Sequence, residues 1–536
     1  MYPVRTASDP SPRKPVDAKD AGVVVSATLL SRILGYVRDM LIAWSFGAGI
    51  YADAFIVAFR IPNMFRRLVG EGGFGMVFIP VFHAHAQRRG LQDALNLTAV
   101  IFRRLAFILF LIVLLGTVFA PVVVHTLAPG FLPSGETLHL SVKLTRIMMP
   151  YLLCVGLVAM SMGVLNALGH FTAPALAPVV LNVSMITAIL IGVWLAPSMA
   201  IRVGLLAAGV VLGGGLQFAM QVPFLIRREV RFWKKPRPES GALAQFGRSA
   251  LPVILGGATY QINVLLGTLL ASYLAAGSVS YLFYADRLVQ FPLGIFAVSA
   301  VTVMMPGLSQ YAVENHMDAV KQTLFKSLRL IWFVTVPAMV GLIVLREPIV
   351  ALLFERGAFS SNSTHLTANA LLWYSTGLWA YAAMRILLAV FYAMQDAYRP
   401  LKAAAVSVVI NLAAGALLMQ VMGHSGIALA TALSAFVNVG LLFFLLRRKI
   451  GPLGGMRMLP AVLRISGCAF FMGAVIQWLH TWLTAGALGG RGATPLGHVV
   501  LCVLTGVAVY TAAAFLCRSD ELYTCFQMIS KRTKTP

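Results

Sequence analysis

Apolar residues in this chain run in long stretches rather than at the spacing of an amphipathic surface helix. The stretches fall near 23–46, 52–84, 105–121, 143–166, 173–195, 203–226, 249–274, 280–311, 328–345, 368–395, 401–420, 425–446, 461–482 and 496–517. A helix crossing the hydrocarbon core of a bilayer needs roughly 20 apolar residues, so the pattern predicts about fourteen spans. The second and eighth stretches exceed one span and contain Pro62 and Pro292. Proline lacks the backbone donor and clashes with the preceding turn, so both spans are expected to bend, as helices lining a cavity do. The first stretch carries Arg32, Arg38 and Asp39 and leads to no small-residue cleavage site, so a removed signal peptide is not expected.

Composition sharpens this picture. Of 536 residues, 59% are hydrophobic and 11% charged, against about 25% charged in a soluble domain. That excludes a soluble enzyme, a disordered chain and a protein held by a single anchor. The fold class expected is an all-α polytopic membrane protein. Lys and Arg number 42 against 18 Asp and Glu. In a soluble protein this excess would suggest nucleic acid. Here basic loops mark the cytoplasmic side instead, and no nucleic acid partner is expected. With the N-terminus inside, the inner loops hold Arg227, Arg228, Arg231, Lys234, Lys235 and Arg237, then Arg447, Arg448 and Lys449. The outer loops hold Arg202, Arg346, Arg356 and Arg491. An even number of spans returns Lys531, Arg532 and Lys534 to the inside. The five cysteines form no C-x-x-C pair and read as small core residues.

The chain repeats weakly. Tyr51-Ala52-Asp53 is echoed by Tyr284-Ala285-Asp286, and each leads into a proline-bent apolar run ending at Pro80 or Pro306. Asn166 to Pro174 is echoed by Tyr392 to Pro400. A repeat of six spans would set two copies facing the same way about an axis along the membrane normal, with the site between them. The expected division is a disordered cytoplasmic tail over 1–21, a six-helix lobe over 22–226 and a basic linker over 227–247. A second six-helix lobe covers 248–448, two further helices 449–517, and a cytoplasmic tail 518–536. Gly213-Gly214-Gly215 lies within a span and follows no strand, so it reads as a helix-packing element.

Charges inside spans carry the chemistry. A basic residue at the centre of a span costs about 2.5–3.5 kcal/mol on insertion scales unless it meets a partner or a hydrated cavity. Lys143, Arg146 and Arg385 can snorkel or pair. Arg32 and Arg38 lie about 9 Å apart along one helix and fit one broad polar face. Arg66 and Arg67 follow the Pro62-Asn63 bend, and Arg287 lies in the corresponding part of the second half. Arg32, Arg38, Arg66 and Arg287 are expected to line one cavity. With Arg60 and Arg67, they outnumber the acids at hand: Asp39, Asp53, Glu71 and Asp286. The surplus favours an anion, and guanidinium forks suit phosphate or pyrophosphate. A lone carboxylate remains open. No nucleotide-binding loop, kinase set, serine-nucleophile elbow or metal-binding H-E-x-x-H occurs, so neither an enzyme nor a metal or cofactor site is expected.

Ser31 to Asp39 resembles the first-helix signature of the MurJ (MviN) lipid II flippases. So does Asp53-Ala54-Phe55 leading to Pro62-Asn63 and Phe65-Arg66-Arg67-Leu68, followed by Glu71-Gly72 and Phe74. Ala128 to Phe131, Tyr284 to Leu288, Leu353-Phe354 with Gly357 and Phe359, and Phe391-Tyr392 with Gln395-Asp396 match as well. The resemblance implies the fold of the multidrug/oligosaccharidyl-lipid/polysaccharide exporter superfamily, with two six-helix lobes in a V and two extra helices forming a groove for a polyprenyl tail. It implies lipid II, the undecaprenyl-pyrophosphate-linked peptidoglycan precursor, as substrate, crossing from the inner to the outer leaflet of the cytoplasmic membrane. It matches Arg32, Arg38, Arg66 and Arg287 to the family's cavity arginines, and Asp53 to an acid near the outer entrance. Gln290 stands where some relatives carry a glutamate. Membrane lipids and cell-wall synthases are candidate partners, and one copy suffices for two lobes. The alternatives are a flippase for another polyprenyl-linked glycan and a drug/cation antiporter of the same superfamily.

Overall fold

The computed structural model describes residues 18–70, 73–230, 261–453, 458–485 and 494–524. The described residues are helical, without strands. The N-lobe comprises α1 (Ala18–Phe46), α2 (Ile50–Phe65), α3 (Gly73–Arg89), α4 (Leu91–Val118), α5 (Ala120–Leu127), α6 (Gly135–Met148), α7 (Pro150–Ala167), α8 (Thr172–Leu195) and α9 (Met199–Arg227). The C-lobe comprises α10 (Gln261–Ser272), α11 (Ser278–Pro292), α12 (Val298–Val313), α13 (Met317–Val344), α14 (Arg346–Phe354), α15 (Ser361–Thr376), α16 (Leu378–Ala393), α17 (Tyr398–Met422) and α18 (His424–Ile450). Two more helices follow, α19 (Leu459–Ala485) and α20 (Pro495–Leu516).

Among the described residues, nine helical runs, with α6 and α7 counted as one, are long and apolar enough to cross a membrane, and two bent pairs, α11–α12 and α15–α16, also qualify. Their outward faces carry large apolar side chains such as Trp194, Leu417 and Leu504. Exposed apolar surface on this scale suits lipid rather than water. α1 starts at Ala18, ahead of the expected lobe boundary. Most of the expected 227–247 linker and the first part of the seventh stretch lie outside the described residues.

The internal repeat is visible in the element pattern. The starts of α4 and α13, of α6 and α15, and of α8 and α17 are each 226 residues apart. Both proline-bent spans contain a π turn: Arg66–Gly70 after Pro62, and Leu293–Ala297 after Pro292. The missing proline donor loosens the ladder there, and the chain takes up the slack by widening the next turn. One expected correspondence fails in this register. Asp53 lies in the first turn of α2, but Asp286 lies in the middle of α11, so the Tyr-Ala-Asp echo joins positions that are not equivalent. Counted from the π turns instead, Arg60 and Arg287 correspond: each stands six positions before its turn.

One large core cluster runs through both lobes and includes Phe55, Tyr151, Tyr284, Phe354 and Phe359. A second, around Phe74, Phe78 and Phe102, holds the N-lobe's α3, α4 and α7 together. A third fixes α19 and α20 against α13. There the Tyr510 hydroxyl donates to the Phe333 carbonyl at 2.7 Å, and Arg329 pairs with Asp520 and Glu521 beyond α20. In the α16–α17 turn, Asp396 accepts from Lys449 at 2.6 Å and Arg399 at 2.9 Å. Burial opposes its ionisation, but these two cations hold its carboxyl below the usual range.

Candidate functional site

Call the end of the bundle where α1 finishes the far end. The seam between the lobes has two levels, one at the far end and one midway along α1.

Midway, four polar residues on α1 face the seam. Arg38 Nη2 and Nε donate to Asp39 Oδ1 at 2.7 and 3.0 Å, and Nη1 donates to Asn182 Oδ1 on α8 at 2.9 Å. The Asn182 amide donates to the Ser31 carbonyl at 3.0 Å, fixing its orientation. The second Asp39 oxygen lies 3.2 Å from Arg287 Nε on α11. One carboxylate, 3% exposed, thus bridges arginines from two lobes. The Tyr36 hydroxyl donates to the Arg287 carbonyl at 3.1 Å. Arg32, exposed, donates to the Gly294 carbonyl at 3.2 Å, in the π turn of the opposite lobe.

Arg66 donates through Nε to Asn63 Oδ1 at 3.2 Å and lies within electrostatic range of Arg38. Asp286 accepts from the Gln290 amide and feels Arg67, Arg287 and Arg60. The glutamine is a neutral donor here, where a glutamate would repel Asp286. The Arg287 guanidinium stacks 4.9 Å from the centroid of Phe283, and Arg60 lies 6.0 Å from the same ring. The structure therefore brings Arg38, Asp39, Arg66 and Arg287 together, with Arg32 on their open side and Arg67 and Asp286 beside Arg287. Glu71 lies outside the described residues.

Asp53 is no partner of these arginines. It is 2% exposed and sits at the far end. Its carboxylate accepts from Gly277 N at 2.6 Å and from Ser280 N and Oγ at 2.8 and 2.5 Å. These donors open α11, so an acid of one lobe caps a helix of the other. Gly277 has φ +96°, a left-handed conformation that a side chain would strain. Other contacts close the same level. Ala358 N donates to the Trp44 carbonyl at 2.9 Å, and the Tyr284 hydroxyl donates to the Gly47 carbonyl at 3.2 Å. Gly130 N donates to Ser272 Oγ at 3.0 Å, at a spot where a Cβ would run into the Ser272 backbone.

Substantial helix-to-helix contact between lobes joins α2 with α11 and α1 with α14. α3 and α12, the other halves of the bent spans, make no comparable contact among the described residues. Among the described residues, the substantial contacts between the lobes gather at the far end and at the seam.

Sequence reasoning missed Asn182, Ser280 and Phe283. Asn182 had a signal: it is an amide within an apolar stretch. Ser280 and Phe283 had none, because both suit any helix packed against another. Among the described residues, no group of three or more His, Cys, Asp or Glu side chains could hold a metal.

A family model described as lipid II flippase MurJ matches residues 42–490. The chain is 34% identical over 518 residues to a probable lipid II flippase MurJ of Vibrio cholerae, covering 92% of this chain and 95% of that protein. It is 32% identical over 502 residues to the lipid II flippase MurJ of Burkholderia cenocepacia, covering 90% and 94%. A solved lipid II flippase MurJ in an inward closed conformation superposes with a TM-score of 0.76 at 27% identity, covering 92% of this chain and 99% of that one. An inward-facing multidrug transporter of the MATE family shares the fold, with a TM-score of 0.66 at 16% identity over 81% of this chain and 98% of that one.

Proposed function

The chain belongs to the lipid II flippase MurJ family, and from that premise we propose how it moves its substrate. It is a multi-pass inner-membrane transporter rather than an enzyme, and its substrate is lipid II. The arginines on the seam, Arg32, Arg38, Arg66 and Arg287, receive the pyrophosphate of the lipid. The observation that carries this reading is the Asp39 carboxylate shared by Arg38 and Arg287 across the lobes.

The physical problem is a double one. A pyrophosphate head cannot enter hydrocarbon without losing its hydration, and a polyprenyl tail cannot leave it. A cationic seam open to one side serves the head while the tail stays in lipid. Asp39 holds the two main arginines in the absence of substrate. An arriving pyrophosphate offers more oxygens and more charge than one carboxylate, so it competes for the same guanidinium forks. Arg32, exposed where α1 meets the π turn of α11, meets the head first.

Basic residues fix the direction. Arg227, Arg228, Arg447, Arg448 and Lys449 lie at the end away from the Asp53 level, and Arg202, Arg346 and Arg356 lie at the far end. That asymmetry supports a far end on the outside and both termini in the cytoplasm. The described state then faces inward and is latched outside by Asp53. Transport follows by rocking of the lobes about the seam, with the outer contacts parting as the inner ends meet. The surplus of arginine over acid sets the site apart from one built to hold a drug cation. One copy supplies both lobes, and a functional monomer is part of this reading. The division into lobes over 22–226 and 248–448, with α19 and α20 guiding the tail, is part of the same reading. Cell-wall synthases would receive the lipid on the outer side.

The test is the leaflet location of lipid II in cells depleted of the native protein and supplied with variants. A probe that attacks outward-facing lipid II alone reports it. Arg38→Ala and Arg287→Ala, expressed at normal level, are expected to abolish attack while total lipid II rises. Full attack with both variants would sink the arginine site.

A further inference from the structure

The equivalence of Arg60 and Arg287 has a chemical side. Each stands six residues before the π turn of its lobe. They come from different lobes, Arg60 on α2 and Arg287 on α11, and meet at the seam. Both approach the ring of Phe283, at 6.0 and 4.9 Å. Both also act on the same acid, Asp286. The Nε atoms of Arg60 and Arg287 are both buried without a hydrogen-bond partner among the described residues. Arg287 has the Asp39 carboxylate within ion-pair distance. A buried guanidinium donor without an acceptor is costly, and it persists where an acceptor arrives as part of function.

The geometry points to Arg60 as a specificity-determining residue: it takes the second phosphoryl group of the pyrophosphate, while Arg287 takes the first. The inference rests on the site proposed above and narrows its ligand chemistry. A pyrophosphate consists of two phosphoryl groups joined through one oxygen, each able to accept a guanidinium fork. Two arginines from opposite lobes brought to one aromatic ring suit such a ligand better than a single phosphate. Phe283 supports the pair: its π face attracts both cations and keeps them from drifting toward solvent. A monophosphate lipid would engage Arg287 and leave Arg60 unpaired. The pair would thus separate the loaded pyrophosphate carrier from a monophosphate carrier with the same polyprenyl tail.

The experiment is binding of two lipids to the purified full chain in nanodiscs: lipid II and undecaprenyl phosphate. Arg60→Ala is expected to weaken lipid II binding by about tenfold or more, the loss typical of one charge-assisted contact. Its effect on undecaprenyl phosphate is expected to stay within about threefold, so the preference for pyrophosphate falls. Arg60→Lys keeps the charge without the fork and is expected to lose part of the preference, which covers the case that the alanine variant does not fold. Arg287→Ala is the comparator. If it weakens lipid II binding while neither Arg60 variant does, Arg60 has no such role and the site stands. Equal weakening of both lipids by the Arg60 variants would also overturn the selector role. If Arg287→Ala and both Arg60 variants all bind lipid II normally, the proposed site itself fails.

Discussion

A single carboxylate does different work depending on where its helix ends. Asp39, in the middle of α1, balances two arginines. Asp53, in the first turn of α2, caps the start of α11 and holds the outer level shut. Both are acids within or beside apolar stretches, and the sequence flags both for the same reason: an ionised group there demands a partner. Which partner it finds is invisible at that level, because Gly277 and Ser280 lie more than 200 positions away. The Asp53 latch makes a prediction. Asp53→Ala leaves three donors without their acceptor, at a cost of about 1–3 kcal/mol for each buried group. The outward-closed state should lose population by at least about tenfold relative to the outward-open one. Spin-label distances across the outer ends of α1 and α14 would report it. An unchanged distance distribution in Asp53→Ala would refute the latch.

At the scale of elements, the bends were foreseeable and their form was not. Pro62 and Pro292 mark the broken spans by chemistry alone. The π turns that follow them depend on how the loosened turn packs against its neighbours. The same holds for α6–α7, read as one span and found to divide at Pro150, and for α15–α16, bent by 42° near Gly377. The glycine run on α9 shows how neighbours decide a residue's worth. A Cβ on Gly213 would meet Leu181 Cδ1 at 2.9 Å and Ser184 Cβ at 3.0 Å on α8. One on Gly214 would meet Tyr151 Cδ2 at 2.6 Å and Cys154 Cβ at 2.8 Å on α7. One on Gly215 would meet nothing within 4 Å. Gly214→Ala should therefore lower thermal stability in detergent, by about 1–3 kcal/mol of overpacking. Gly215→Ala should raise it slightly, by up to about 1 kcal/mol of helix propensity. Equal melting temperatures for the two variants would contradict the close α7–α9 approach.

The whole molecule is two related lobes whose mutual contacts concentrate at one end. If rocking about the seam carries the substrate, fixing that end must stop transport without touching the arginines. Cysteines at Trp44 and Ala358, whose backbones meet at 2.9 Å, can be joined by a short cleavable thiol cross-linker after the native cysteines are replaced. Flipping in reconstituted vesicles is expected to stop on cross-linking and return on cleavage. Continued flipping by the cross-linked protein would rule out opening at this end. α19 and α20 pack on α13 through Tyr510, Trp332 and Arg329, so they are expected to travel with the C-lobe.

The sequence by itself determined that this chain lives in a membrane, that it is helical, where two of its spans break, and that arginine outweighs acid within it. Those properties follow from the cost of placing each residue type in hydrocarbon, which is local and additive. It also carried the repeat, through two halves of similar pattern, although one of its echoes was out of register. Only the tertiary structure decided that Asp39 joins two lobes, that Asp53 caps a helix rather than serving an arginine, and that Arg60 and Arg287 meet at the ring of Phe283. Pairing is set by which faces meet when helices distant in sequence pack together. A side chain's hydrogen-bonding capacity tells that it must be satisfied, and not by whom.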